Sequence, residues 1–168
     1  RLRHVEVEKR ILQLKEYAET MDLNRIEWGD KKIGIITSGV CYQYLREVMP
    51  EVSVLKLGMV NPLPEKLIRS FAAEVDRLIV LEELEPVIEE QLKAWGLKVE
   101  GKELFTLLGE YSPEMIEEVL LGVSSGKGFG LDQEIPPRPP LMCPGCPHRG
   151  VFHTLKKMKL HVMGDIGC

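Results

Sequence analysis

Lys32-Ile-Gly-Ile-Ile-Thr-Ser-Gly39 is a short apolar run that ends in small and hydroxylated residues, and the pattern it starts decides the fold. Ile33–Ile36 is followed by an amphipathic stretch over Val40–Met49, and Val52–Leu57 by another over Pro64–Glu74. Leu78–Leu81 leads into Pro86–Trp95, and Leu104–Leu108 into Pro113–Leu121. The short runs have strand length and the longer stretches have helical periodicity. Pro64, Pro86 and Pro113 stand at helix starts, where a missing N–H does no harm, and Ser112 is a good N-cap before Pro113. Gly96 and Gly122 stand at helix ends. Four strand–helix units in series imply right-handed crossovers and an α/β fold, a mainly parallel sheet with helices on both faces.

Working outward, Val7, Ile11, Leu14, Ala18 and Met21 form one apolar stripe on a helix in the N-terminal direction. Asn24 to Asp30 then reads as a connection. In the other direction, Ser124 to Gly130 and Pro136-Pro-Arg-Pro-Pro140 read as a flexible, then extended linker. The expected division is a linker helix over 1–29, an α/β domain over 30–122, a Gly/Pro-rich linker over 123–141, and an incomplete domain start over 142–168. That last part holds a helix near Val151–Lys157 and a short strand near Leu160–Met163. The abrupt start without an initiator Met, and so short a final segment, give the expectation of a piece of a longer protein.

A chain of 168 residues with 44% apolar side chains can bury the core of one ordinary domain. The net charge of −4 is unevenly placed, with residues 127–168 carrying +3 and residues 1–126 carrying −7. Neither value is the basic stripe of a nucleic-acid binder. The basic end suits an anionic cofactor or an acidic electron carrier, or is simply a solvated face with Lys156, Lys157 and Lys159 on it. No apolar stretch nears the roughly 18 to 20 residues of a membrane span, and the charged start lacks the core of a signal peptide, so a cytoplasmic, soluble protein is expected. Four cysteines then read as free thiols or metal ligands. Abundant Glu and Lys beside only two asparagines, Asn24 and Asn61, match a heat-adapted composition.

Ligand sites on open parallel sheets lie at the carboxyl ends of the strands. The loops there are Thr37-Ser-Gly39, Gly58-Met-Val-Asn61 and Glu82-Glu-Leu-Glu85. Thr37-Ser-Gly39 is either an anion cradle or a tight turn with a capping hydroxyl. Glu82, Glu83 and Glu85 suit the dipole of the helix that follows, or else contact a neighbouring domain. Cys41 reads as a buried, small apolar residue. Cys143-Pro-Gly-Cys146 holds two thiols at a spacing that lets both meet one metal, with turn N–H groups directed at the sulfurs. Zinc shared with His148, His153 or His161 is a rival to an iron–sulfur cluster, and an idle thiol pair is the plain alternative. A thioredoxin-like pair would need the motif to follow a strand and open a helix in its own domain, whereas here it follows a polyproline linker.

Pro136-Pro-Arg-Pro-Pro-Leu-Met-Cys-Pro-Gly-Cys-Pro-His-Arg149, followed by Gly164-Asp-Ile-Gly-Cys168, closely resembles the α subunit of indolepyruvate:ferredoxin oxidoreductases. Ile35-Ile-Thr-Ser-Gly39, Leu57-Gly-Met-Val-Asn-Pro-Leu-Pro64 and Ile79-Val-Leu-Glu-Glu-Leu-Glu-Pro86 resemble its transketolase C-terminal-like domain. The resemblance implies an enzyme that oxidatively decarboxylates aryl-2-oxoacids to acyl-CoA and passes electrons to ferredoxin. It implies thiamine diphosphate, Mg²⁺ and [4Fe–4S] clusters as cofactors, coenzyme A as co-substrate, and a β subunit as partner. By the same resemblance Cys143, Cys146 and Cys168 match cluster ligands of the wider 2-oxoacid:ferredoxin oxidoreductase group. Gly167 and Cys168 match a turn near the thiamine. The segment alone is expected to be inactive, with no catalytic residue of its own. The alternative is a non-catalytic α/β module with a zinc-binding Cys/His tail.

Overall fold

Apolar residues alternate across every central strand, so neither face of the sheet is left to water. The chain's structure, a computed structural model, describes residues 2–123 and 142–164, which fall in two compact units. The first unit begins with α1 (Leu2–Ala18) and continues through β1 (Arg25–Glu27), β2 (Asp30–Ser38), α2 (Cys41–Val48) and β3 (Val52–Leu57). It ends with α3 (Glu65–Ala72), β4 (Arg77–Leu81), α4 (Val87–Ala94) and α5 (Pro113–Leu121). The sheet order is β1-β3-β2-β4, with β2 parallel to both β3 and β4 and β1 antiparallel to β3.

Ile35, Val52, Val54, Ile79 and Leu81 face one side and pack with Tyr42 and Leu45 of α2 and Ile116 of α5. Ile36, Leu55, Leu57, Leu78 and Val80 face the other and pack with Ile68 and Phe71 of α3 and Ile88 and Leu92 of α4. The expected α/β architecture, mainly parallel with helices on both faces, is therefore present, and double-sided burial explains its Val/Ile/Leu-rich runs.

Two expectations about the sheet fail. Leu104–Leu108 forms no strand. Leu104 and Phe105 donate their N–H groups back to the Gly101 carbonyl, making a turn that buries Phe105 and leaves Leu108 82% exposed. The edge of β4 is met instead by Glu100, whose N–H reaches Leu78 O at 3.1 Å and whose carbonyl accepts from Val80 at 2.8 Å. Asn24 to Asp30, expected as a connection, contains β1, with Ile26 opposite Leu55.

Helix α1 is held at its C-terminal end. Ala18 is its only fully buried residue, and the expected stripe of Val7, Ile11 and Leu14 is substantially exposed. Just beyond it, Asn24 is buried and makes three bonds. Its Nδ2 donates to Ala18 O at 2.9 Å, and its Oδ1 accepts from the Gly58 and Met59 N–H groups at 2.9 and 3.0 Å. Gly58 is required there, because a Cβ would lie 2.6 Å from the Leu23 side chain and 2.8 Å from its carbonyl oxygen. The Glu19 carboxylate accepts from the N–H groups of Lys66 and Leu67 in the first turn of α3.

The second unit contains α6 (His148–Lys157). It starts three residues before the sequence suggests. Leu160–Met163 forms no strand. The linker expected over 123–141 lies, beyond Val123, outside the described residues.

Candidate functional site

At the carboxyl ends of β2 and β4 the first unit has a cavity of about 440 Å³. Ser38, Gly39 and Cys41 line one side, Glu82 to Glu85 the other, and Val60 and Val87 reach it as well. All three loops singled out in the sequence thus contribute to one depression. The Thr37 hydroxyl does not cap α2; it donates to Leu81 O at 2.8 Å and belongs to the sheet interior. Helix α2 starts at Cys41 after Val40, which provides no side-chain cap, and Gly39 before it turns at φ 58°.

The acidic loop behaves as its position before a helix demands. Glu82 is 7% exposed, and its carboxylate accepts from the Ile88 and Glu89 N–H groups at the start of α4, both at 2.9 Å. Burial outweighs those bonds and holds its carboxyl above the usual range. The Glu83 carboxylate accepts from the Tyr111 N–H at 2.9 Å. Lys102 Nζ donates to the Glu82 carbonyl and, at 2.8 Å, to the Tyr111 hydroxyl, so the loop is tied from three sides. Burial, with the Glu83 charge added, pushes the Cys41 thiol up to about 11. A thiol so placed is a packing group, as the sequence suggested, and not a nucleophile.

Sequence reasoning missed a second polar knot beside this cavity. Glu89 is buried within α4, accepts from Lys93 Nζ at 2.6 Å and from the Lys102 N–H at 2.7 Å, and packs against Gly101. The only signal in the sequence was a glutamate on the apolar side of an amphipathic stretch, with Ile88 and Leu92 as neighbours.

In the second unit Cys143 is exposed and Cys146 half-buried, both as free thiols. The Cys146 N–H donates to the Cys143 carbonyl at 3.1 Å, and Gly145 has φ 79°. Proline at the second position and a positive-φ glycine at the third make a type II turn. Helix α6 opens two residues later, so one half of the thioredoxin-like condition, a helix after the motif, is met. Pro144 and Pro147 carry no N–H and the Cys146 N–H closes the turn, which leaves the Gly145 N–H among the amides the motif can offer a sulfur. Among the described residues no three His, Cys, Asp or Glu side chains gather as a metal site. Cys168 and Gly167 lie outside the described residues.

No protein-family model matches the chain. Its fold is similar to that of a 2-oxoglutarate:ferredoxin oxidoreductase from Magnetococcus marinus, with a TM-score of 0.58 and 21% identity over 71% of this chain and 23% of that one. The chain thus has an α/β fold of the kind that enzyme contains. Relatives in sequence narrow this. Indolepyruvate oxidoreductase subunit IorA of Pyrococcus horikoshii is 34% identical over 94% of this chain and 28% of its own length. The same subunit of Pyrococcus abyssi is 35% identical over 92% and 28%, and that of Methanothermobacter thermautotrophicus 30% identical over 100% and 31%. The chain belongs to the indolepyruvate oxidoreductase subunit IorA family. It spans about 30% of the length of the curated relatives it matches.

Proposed function

We propose that this chain is part of the α subunit of a thiamine diphosphate-dependent enzyme that oxidatively decarboxylates aryl-2-oxoacids, indolepyruvate among them, to acyl-CoA and reduces ferredoxin. The observation that carries the reading is identity of 30 to 35% to IorA subunits along nearly the whole chain. Residues 30–122 then supply a scaffold, 1–29 a linker helix, 123–141 a second linker, and 142–168 the start of the diphosphate-binding domain. A β subunit completes the enzyme, ferredoxin accepts its electrons, and the cytoplasm is its compartment.

In this reading Cys143, Cys146 and Cys168 hold a [4Fe–4S] cluster, and Gly167 with Cys168 borders the thiamine diphosphate. The donor chemistry fits: two free thiols sit on one turn, with a glycine amide between them and the N-terminal end of α6 next to them. When bound, a cluster there accepts electrons one at a time. The protein's part is to hold two sulfurs at fixed spacing, with no carboxylate between Met142 and Gly164 to oppose the negative charge of ligated thiolates. Mg²⁺, the thiamine and coenzyme A fall mainly to other parts of the longer protein.

The test joins this chain, in its full-length subunit, to the partner subunit and measures ferredoxin reduction with aryl pyruvates and coenzyme A. Substrate-dependent reduction is expected, and its failure with every aryl pyruvate overturns the assignment. Iron and sulfide analysis of anaerobically prepared protein tests the ligands. Cys143→Ser should lower iron content, whereas stoichiometric zinc without iron rejects the cluster.

A further inference from the structure

The type II turn that carries Cys143 and Cys146 has a property that needs no metal. An i to i+3 turn keeps its outer Cα atoms within about 7 Å. A disulfide needs roughly 4.4 to 6.8 Å between Cα atoms. The ring of Pro144 fixes one backbone angle, Gly145 takes the left-handed angle at φ 79°, and the Cys146 N–H closes the turn at 3.1 Å. The turn therefore confines the two Cα atoms to about the separation a disulfide needs before any bond forms. Their surroundings differ: Cys143 is exposed, Cys146 half-buried. From Met142 to Gly164 the chain carries Arg149, Lys156, Lys157 and Lys159 and no acidic residue.

We infer that Cys143 and Cys146 form a reversible dithiol–disulfide pair in the metal-free protein, with Cys143 as the attacking and Cys146 as the resolving thiol. The oxidant is a small anionic disulfide of the glutathione class. The Cys143 sulfur attacks one sulfur of that disulfide, its S–S bond breaks, and the displaced thiolate takes up the Cys143 proton. The Cys146 sulfur then attacks Cys143, expelling the second small thiol, which takes up the Cys146 proton. Two protein thiols are oxidised by two electrons, and one small disulfide is reduced to two thiols. Exposure selects Cys143 for the first step because the incoming disulfide must approach in line with the sulfur it meets. The basic, acid-free segment attracts an anionic oxidant. The inference goes beyond the cluster reading and does not depend on it, although a bound metal would mask the pair.

The experiment treats the full chain, stripped of metal by a chelator, with defined ratios of reduced to oxidised glutathione, followed by alkylation and mass spectrometry. The expected product has lost two hydrogens and links Cys143 to Cys146, with little mixed disulfide at any time. Cys146→Ser should trap glutathione on Cys143, while Cys143→Ser should react several-fold more slowly. Gly145→Ala, strained at positive φ, should lengthen the life of the mixed disulfide. Added salt should slow the reaction with oxidised glutathione but not with the uncharged 2-hydroxyethyl disulfide. A persistent mixed disulfide in the unaltered chain, or a link to Cys168 or Cys41, overturns the inference. Cys168→Ser separates it from the cluster reading: this change should lower iron in loaded protein yet leave the dithiol titration of metal-free protein unchanged.

Discussion

Glu27 gathers Arg25, Arg46 and Tyr42 on one carboxylate. Arg25 Nε donates at 2.7 Å, the Tyr42 hydroxyl at 2.9 Å and Arg46 Nε at 3.0 Å. Burial pushes its carboxyl up, but the bonds from Arg25, Arg46 and Tyr42 overcome this and hold it at about 2. A folded-state value below the ordinary 4.5 means that this stabilisation is present above the unfolded value and is lost as pH falls from there toward 2. Glu27→Gln should cost about 2 kcal/mol in urea unfolding at neutral pH, and the difference from wild type should shrink as pH drops below 4.5. Glu82 runs the other way: its raised carboxyl favours the folded state more as pH falls. Asn24→Ala should cost about 2 to 3 kcal/mol, because it strands the N–H groups of Gly58 and Met59. Hydrogen exchange should show those two amides losing protection ahead of the central strands. Asn24 was not legible in the sequence, where a lone asparagine after a helix reads as a turn residue. Its role arises from β3 ending opposite it, a meeting 34 residues apart in the chain.

Among the elements, β2, β3 and β4 were legible because burial on both faces leaves a signature that few other arrangements produce, a short run dominated by apolar residues. The same signature misled at Leu104–Leu108, where the run wraps a turn around one buried ring instead of entering a ladder. Strand β1 escaped because three residues carry too little alternation to register, and only pairing with β3 defines it. Helix α5 was legible at both ends. Ser112 Oγ accepts from the Met115 N–H at 3.3 Å and Gly122 closes the helix at φ 68°. Ser112→Ala should lower stability by about 1 kcal/mol in thermal or urea unfolding. Ser112→Asp should restore most of the loss, since a carboxylate serves both cap and dipole.

For the whole molecule, both core clusters are built from residues of the first unit alone. Chelation of metal, or the double change Cys143→Ser and Cys146→Ser, should therefore leave the unfolding transition of the α/β unit within about 0.5 kcal/mol of its starting value, as read by tyrosine and tryptophan fluorescence. A large shift would mean that the two units share stability. The α/β scaffold was legible because core patterning is written locally. The cysteine site was legible only as a motif, for its third expected ligand belongs to residues outside the description. Residue chemistry alone left cluster, zinc and idle thiols open.

Helix α1 stands on the sheet by Ala18, Glu19 and the Asn24 clamp, with most of its 17 residues in contact with solvent. The described anchors of this rod gather at its C-terminal end. Trypsin cutting after Arg3, Lys9 or Arg10 would sever it without touching the clamp or either core cluster. The same clamp sets the direction in which the rod points, so a tilt of the helix would be felt first at the end of β3 and in the loop that opens on the strand-end cavity.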